Sequence, residues 1–219
     1  MILEANLKKS TLALSALTLA LAAGLSACGG GTSSYTIAGT VTGLQYEGLV
    51  LRNNDANDLA VAPLGLDENK NVKNVPYSFP GEVDYGKPYS VTVKDQPKHQ
   101  RCELAGGTAD TAGRLTAINA VISCELVSNT IGGTITGLAA DKLVLINGSS
   151  GGTLTVVKDA NGVYPGKFTF AAVVTYGQTY GVTVFEQPAG QTCTVTNGAG
   201  TMGDNAVDTI AVNCVNKST

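Results

Sequence analysis

Thr36–Leu44 reads TIAGTVTGL and Thr130–Leu138 reads TIGGTITGL, identical at seven of nine positions with an offset of 94. In each, Ile37 and Val41, or Ile131 and Ile135, share one face with a glycine, while threonines take the other. Alternation of period two that runs into Thr-Gly reads as a half-buried strand entering a turn. Further blocks follow in the same order. LVLRN at Leu49–Asn53 matches LVLIN at Leu143–Asn147, again at 94. YGKPYSVTVKDQPKHQRC at Tyr85–Cys102 matches YGQTYGVTVFEQPAGQTC at Tyr176–Cys193 at 91, with ten of eighteen identities. Cys124 matches Cys214 at 90. The first copy therefore holds four extra residues, one of them before its last cysteine. The other three are assigned to a lengthened surface loop in DENKNVKN, Asp67–Asn74. A repeat of about 90 residues is too long for a solenoid unit and has the size of a small domain. The reading is two modules, at 35–128 and 129–219, joined by the short Leu126–Thr130, which lacks a Pro/Gly spacer and so implies end-to-end contact.

Each module reads as all-β. Short runs rich in Val, Ile, Thr and Tyr are separated by clusters such as RNNDAND, GSSGG and DANG, and none after Cys28 carries helical periodicity. Seven strands are expected in the first copy, near 36–42, 48–53, 58–63, 76–80, 88–94, 100–104 and 120–127. The fold class is two tandem small antiparallel β-sandwiches. The order GTVTGL…LVL…F-T-F…Y-x-V-T-V resembles the immunoglobulin-like or prealbumin-like repeats of bacterial surface proteins and the carboxypeptidase-regulatory-like domains. The immunoglobulin hallmark of a core Trp is missing, since the chain has no Trp.

The N-terminus reads as an export signal over 1–27. Lys8 and Lys9 precede an apolar run, Ser10–Leu25, that is shorter than the roughly 20 residues a membrane span needs. It ends Leu25-Ser26-Ala27-Cys28, which resembles the lipobox of bacterial lipoproteins. The resemblance implies cleavage before Cys28, acylation of that cysteine and, with Gly29 next to it, sorting to the outer membrane. The mature net charge would then be −4 rather than −3. Residues 28–34 read as the lipidated cysteine and a flexible Gly/Ser tether.

Four cysteines remain, and four allow three pairings. The repeat selects Cys102–Cys124 and Cys193–Cys214, since each copy supplies two at equivalent places. Export provides the oxidising compartment. A metal site is the weaker reading, because no C-x-x-C occurs. The single histidine, His99, leaves no base for a nucleophilic triad. Its counterpart in the second copy is Gly190, so His99 reads as a solvated loop residue. Gln96-Pro97 and Gln187-Pro188, followed by Gln100 and Gln191, read as a fixed corner leading into the cysteine strand, and Tyr85/Tyr176 and Tyr89/Tyr180 as packing residues. Acidic clusters Asp55/Asp58, Asp67/Glu68 and Asp204/Asp208 lack calcium-loop spacing. A pI near 5.1 gives no basic footprint for nucleic acid.

No catalytic residues, no cofactor and no metal are expected. The functional expectation is a non-catalytic, lipid-anchored envelope protein, bound to the membrane through Cys28. Its sandwiches would serve as spacer, adhesion or protein-binding units, with a protein or envelope partner unidentified. The alternative is a binding lipoprotein for a small ligand or glycan, assisted by calcium in the acidic loops.

Overall fold

The computed structural model describes residues 33–148 and 151–218. The export signal and Cys28 lie outside the described residues. Residues 33–219 form one compact unit containing two hydrophobic clusters.

The first sandwich is built from β1 (Ser34–Thr42), β2 (Leu49–Asn53), β3 (Asn57–Val61), β4 (Val75–Asp84), β5 (Pro88–Asp95), β6 (Gln100–Gly106), β7 (Ala109–Thr111) and β8 (Ala120–Leu126). One sheet runs β4-β1-β8-β6 and the other β3-β2-β5-β7. Alternation decides which residues face inward. Ile37 and Val41 of β1, Tyr77 and Phe79 of β4 and Ile122 of β8 meet Leu49, Leu51, Tyr89 and Val91 from the facing sheet in one buried cluster.

The second sandwich contains β9 (Ser128–Asn129), β10 (Ile131–Thr136), β11 (Leu143–Asn147), β12 (Thr153–Val156), β13 (Lys167–Thr169), β14 (Val174–Thr175), β15 (Thr179–Glu186), β16 (Gln191–Thr196), β17 (Ala199–Thr201) and β18 (Val207–Asn216). Its sheets are β13-β10-β18-β16 and β12-β11-β15-β17, with β14-β9 as a two-stranded piece. The module is all-β like the first, and its core gathers Ile131, Leu143, Leu145, Phe170, Val182 and Ile210.

One pairing in each module is parallel, between the first long strand and the last. Gly39 to Thr42 align with Ala120 to Ser123, and Gly133 to Thr136 with Ile210 to Asn213. Two strands running the same way put chain entry at one end of the sandwich and chain exit at the other. The recurring glycines make that pairing fit. A Cβ on Gly39 would stand 1.8 Å from the Ala120 carbonyl oxygen, and one on Gly133 1.8 Å from that of Ile210. Only a residue without a side chain fits there.

The extra residues of the first copy fall mainly in two places. Ala105 is a β-bulge: β6 pairs with β8 in register through Leu104↔Ile122 and resumes at Gly106↔Val121, whereas β16 runs from Cys193 to Thr196 against β18 without a break. DENKNVKN is not the main insertion. Asp67 accepts the Asn69 and Asn71 N–H groups, each at 2.8 Å, and Asp159 accepts those of Asn161 and Val163, each at 2.9 Å. The same Asp-led turn thus stands in both copies at an offset of 92, with φ positive at Lys70 and at Gly162. The added length lies mainly just before it, in the Ala62–Leu66 segment between β3 and the turn, which has only Val157 and Lys158 as counterpart. Similar polarity hid a shared turn, because Lys70 and Gly162 look unrelated although both hold a left-handed backbone. The short β7 and β17 were also absent from the expected strands, since three residues reading ADT or AGT carry no alternation.

Candidate functional site: the joint between the sandwiches

The motif Q-P-x-x-Q-x-C positions everything at this end of the first module. Pro97 lacks a ladder N–H and ends β5. The amide of Gln96 then stands in for a missing strand. Its Oε1 accepts the Cys102 N–H at 2.7 Å and its Nε2 donates to the Cys102 carbonyl at 3.0 Å. Gln187 does the same for Cys193, at 2.7 and 2.9 Å. Cys102 is bonded to Cys124 across the β6–β8 pair and Cys193 to Cys214 across β16–β18, each with Cα atoms 3.9 Å apart.

Gln100 is 3% exposed and Gln191 3%. Gln100 Oε1 accepts the Gln45 and Tyr46 N–H groups at 2.7 and 3.0 Å, and its Nε2 donates to the Gly43 carbonyl at 2.7 Å. Gln191 accepts from Ala139 and Ala140 and donates to Gly137 at 2.9, 3.1 and 2.8 Å. A buried amide is costly unless all its groups are paired, and here it satisfies the backbone of the loop between the first and second long strands. These glutamines hold the corner in both modules.

His99 lies between them with φ +58, the left-handed conformation that Gly190 takes in the second copy at φ +72. It is not a solvated loop residue. Its ring stacks on Tyr176 of the second module, centroids 4.0 Å apart and planes within 11°. Tyr46 meets His99 edge-on at 4.9 Å and Tyr176 edge-on at 5.8 Å. Nδ1 of His99 lies 2.8 Å from both carboxylate oxygens of Asp204, in the loop between β17 and β18. Backbone bonds continue the link: Val127 N–H donates to His99 O, and Tyr176 N–H to Val127 O. The side chains of His99 and Asp204 are 26% and 49% exposed, so this is a half-open joint rather than a core. Reading the sequence missed it because a joint occurs once in a two-module chain, so its residues need not recur. The signal available was negative: a β-carbon at a position that glycine fills in the other copy.

One carboxylate of each acidic cluster, Asp58, Asp67 or Asp204, is engaged within the protein. Asp58 accepts from Arg52 and Lys94, each at 2.6 Å, and these partners hold its carboxyl well below the usual range. Backbone N–H groups lower the Asp67 and Asp159 carboxyls likewise. Among the described residues, no three His, Cys, Asp or Glu side chains converge as a metal site requires. The recurring tyrosines part company. Tyr89 is buried with its hydroxyl donating to the Gly107 carbonyl at 3.1 Å, Tyr176 serves the joint, and Tyr85 is 62% exposed rather than packed. A groove of about 500 Å³ in the second module is lined by Asn147, Thr175, Gln178, Tyr180 and Gly181. The buried Asn147 aims its Oδ1 at the Gly181 N–H, 2.9 Å away, so it is already paired.

No protein-family model matches the chain, and no curated protein does. Among solved structures, the chain is similar to the major pilin protein (T-13) from Streptococcus pyogenes, with 13% identity and a TM-score of 0.28, over 85% of this chain and 98% of that one. A streptococcal ancillary pilin gives 15% identity and a TM-score of 0.27, over 84% of this chain and 63% of its own.

Proposed function

We propose that this chain is a lipid-anchored protein of the bacterial outer membrane, facing the periplasm or the cell surface. Its tandem sandwiches form a non-catalytic spacer that carries protein-binding or adhesive surfaces. The observation that carries the reading is the parallel pairing of first and last strands in each sandwich. It sends the chain in at one end and out at the other, so that modules string head to tail from a single tether. The joint supports it, since the only histidine of the chain and an acidic side chain from the other module link the two units. The tether is the Gly/Ser segment that follows the lipobox-like Leu25-Ser26-Ala27-Cys28. Several acyl chains, at about 0.8 kcal/mol for each buried CH₂, make such an anchor durable.

The test is replacement of Cys28 by Ala in the full chain. The expected results are an unprocessed precursor, loss of acyl mass from the N-terminal peptide and a shift out of the detergent phase. Unchanged partitioning would refute the anchor. A thermal-shift screen against calcium, sugars and envelope polymers tests the spacer role. Selective stabilisation by one small ligand would refute it, because a ligand held only by the folded state raises its melting temperature.

A further inference from the structure

The repeat offers a comparison of two equivalent seats, one filled and one open. In the second module, Tyr176 and Asp204 form the face that receives the first module. The same face exists at the entry end of the first module. Tyr85 is the counterpart of Tyr176, and its N–H donates to Ser33 O as that of Tyr176 donates to Val127 O. Gly86 N–H meets Ala112 O as Gly177 N–H meets Met202 O, which fixes an offset of 90 in the following loop and makes Arg114 the counterpart of Asp204. The seat is thus repeated with a guanidinium in place of the carboxylate, and with the carboxylates of Asp110 and the exposed Asp84 beside it. With no ring to stack on, Tyr85 lies across Gly113, where a Cβ would come within 2.3 Å of the phenol ring. Tyr85 and Leu115 each remain 62% exposed. The Arg114 side chain is 72% exposed, and one of its N–H groups reaches Asp110 at 3.3 Å. Lys87, in the turn beside Tyr85, is exposed as well.

Where the chain leads decides what meets this face. Ser33, bonded to Tyr85, is only five residues after Cys28. Five residues reach at most about 17 Å when extended. A lipid on Cys28 therefore keeps the seat within about 17 Å of the headgroups. An amphipathic phenol, an exposed leucine and a guanidinium are the groups that suit a bilayer interface.

We propose that the entry face of the first sandwich, formed by Tyr85, Arg114 and Leu115, seats on the anionic headgroup layer of the bilayer that holds the chain. This rests on the lipid anchor proposed above. The contact orients the rod: the first module is grounded, and the second is presented away from the membrane.

The chain has no Trp, so Tyr85→Trp creates a single reporter. Full-length protein processed by the cell is reconstituted into vesicles of anionic and zwitterionic phospholipid with brominated acyl chains, and flotation is measured on the same samples. The expected result is flotation, with about a twofold loss of the introduced indole's emission in anionic vesicles, as for a side chain at the headgroup–acyl boundary. Arg114→Glu added to Tyr85→Trp should restore emission. Phe185→Trp, at an exposed position of the second module, should stay unquenched. A Tyr85→Trp protein that floats with its indole unquenched overturns the seating while leaving the anchor intact. Protein that does not float overturns the anchor, and this inference with it. A photo-crosslinker at residue 85 that captures another protein in intact cells, instead of lipid, overturns the bilayer as occupant.

Discussion

Replacing His99 with Gly separates two effects that share one residue. The histidine makes two aromatic contacts, to Tyr176 and Tyr46, each contributing about 0.5–1.5 kcal/mol. Its half-exposed pairing with Asp204 adds about 0.2–1 kcal/mol. The joint therefore loses about 2 kcal/mol when the side chain goes. The backbone works the other way. At φ +58, a residue with a β-carbon is strained by about 1–2 kcal/mol, which glycine relieves. His99→Ala removes the contacts and keeps the strain, so it should destabilise by about 2 kcal/mol, whereas His99→Gly should recover about 1 kcal/mol of that. The assay is urea unfolding of both variants, alone and combined with Asp204→Ala, alongside small-angle scattering for the inter-module distance. Coupling between His99→Ala and Asp204→Ala and a broadened distance distribution are expected. Additivity within about 0.3 kcal/mol with unchanged scattering would refute the joint, and equal effects of Ala and Gly would refute the strain.

Three other expectations concern the scaffold. Gln100→Ala strands the Gln45 and Tyr46 N–H groups and the Gly43 carbonyl, and Gln191→Ala their counterparts, so each should cost about 2–4 kcal/mol in thermal unfolding, while Gln45→Ala, with its side chain exposed, should cost little. Gly39→Ala and Gly133→Ala drive a methyl into the facing carbonyl of the parallel pair and should each cost about 3 kcal/mol or more, read as a fall in Tm. The Asp67 and Asp159 carboxyls titrate below their unfolded range in the folded state, so their stabilisation is present above about pH 4 and is lost as the solution is acidified through the folded pKa. Asp67→Asn should flatten the acid limb of a stability–pH curve, and an unchanged limb would remove these turns from the account.

The sequence by itself determined the repeat, the all-β class and most strands. Alternating faces and turn residues are local properties, and duplication doubled each signal. The inward positions of Ile37, Val41, Tyr89 and Val91 follow from period two alone. It did not determine which strands become neighbours. The parallel pairing of β1 with β8 joins residues about 80 apart, and Gly39 alone does not reveal that a carbonyl will press on it. The joint was the least legible part. His99 and Asp204 are separated by 105 positions and lie in different copies, so comparing copies marked His99 as dispensable and left Asp204 in an acidic cluster without calcium spacing. Only the packing of one module's exit face on the next module's entry face brings imidazole, phenol and carboxylate together. Contacts of that kind arise from how folded surfaces meet, and nothing in the local sequence encodes them.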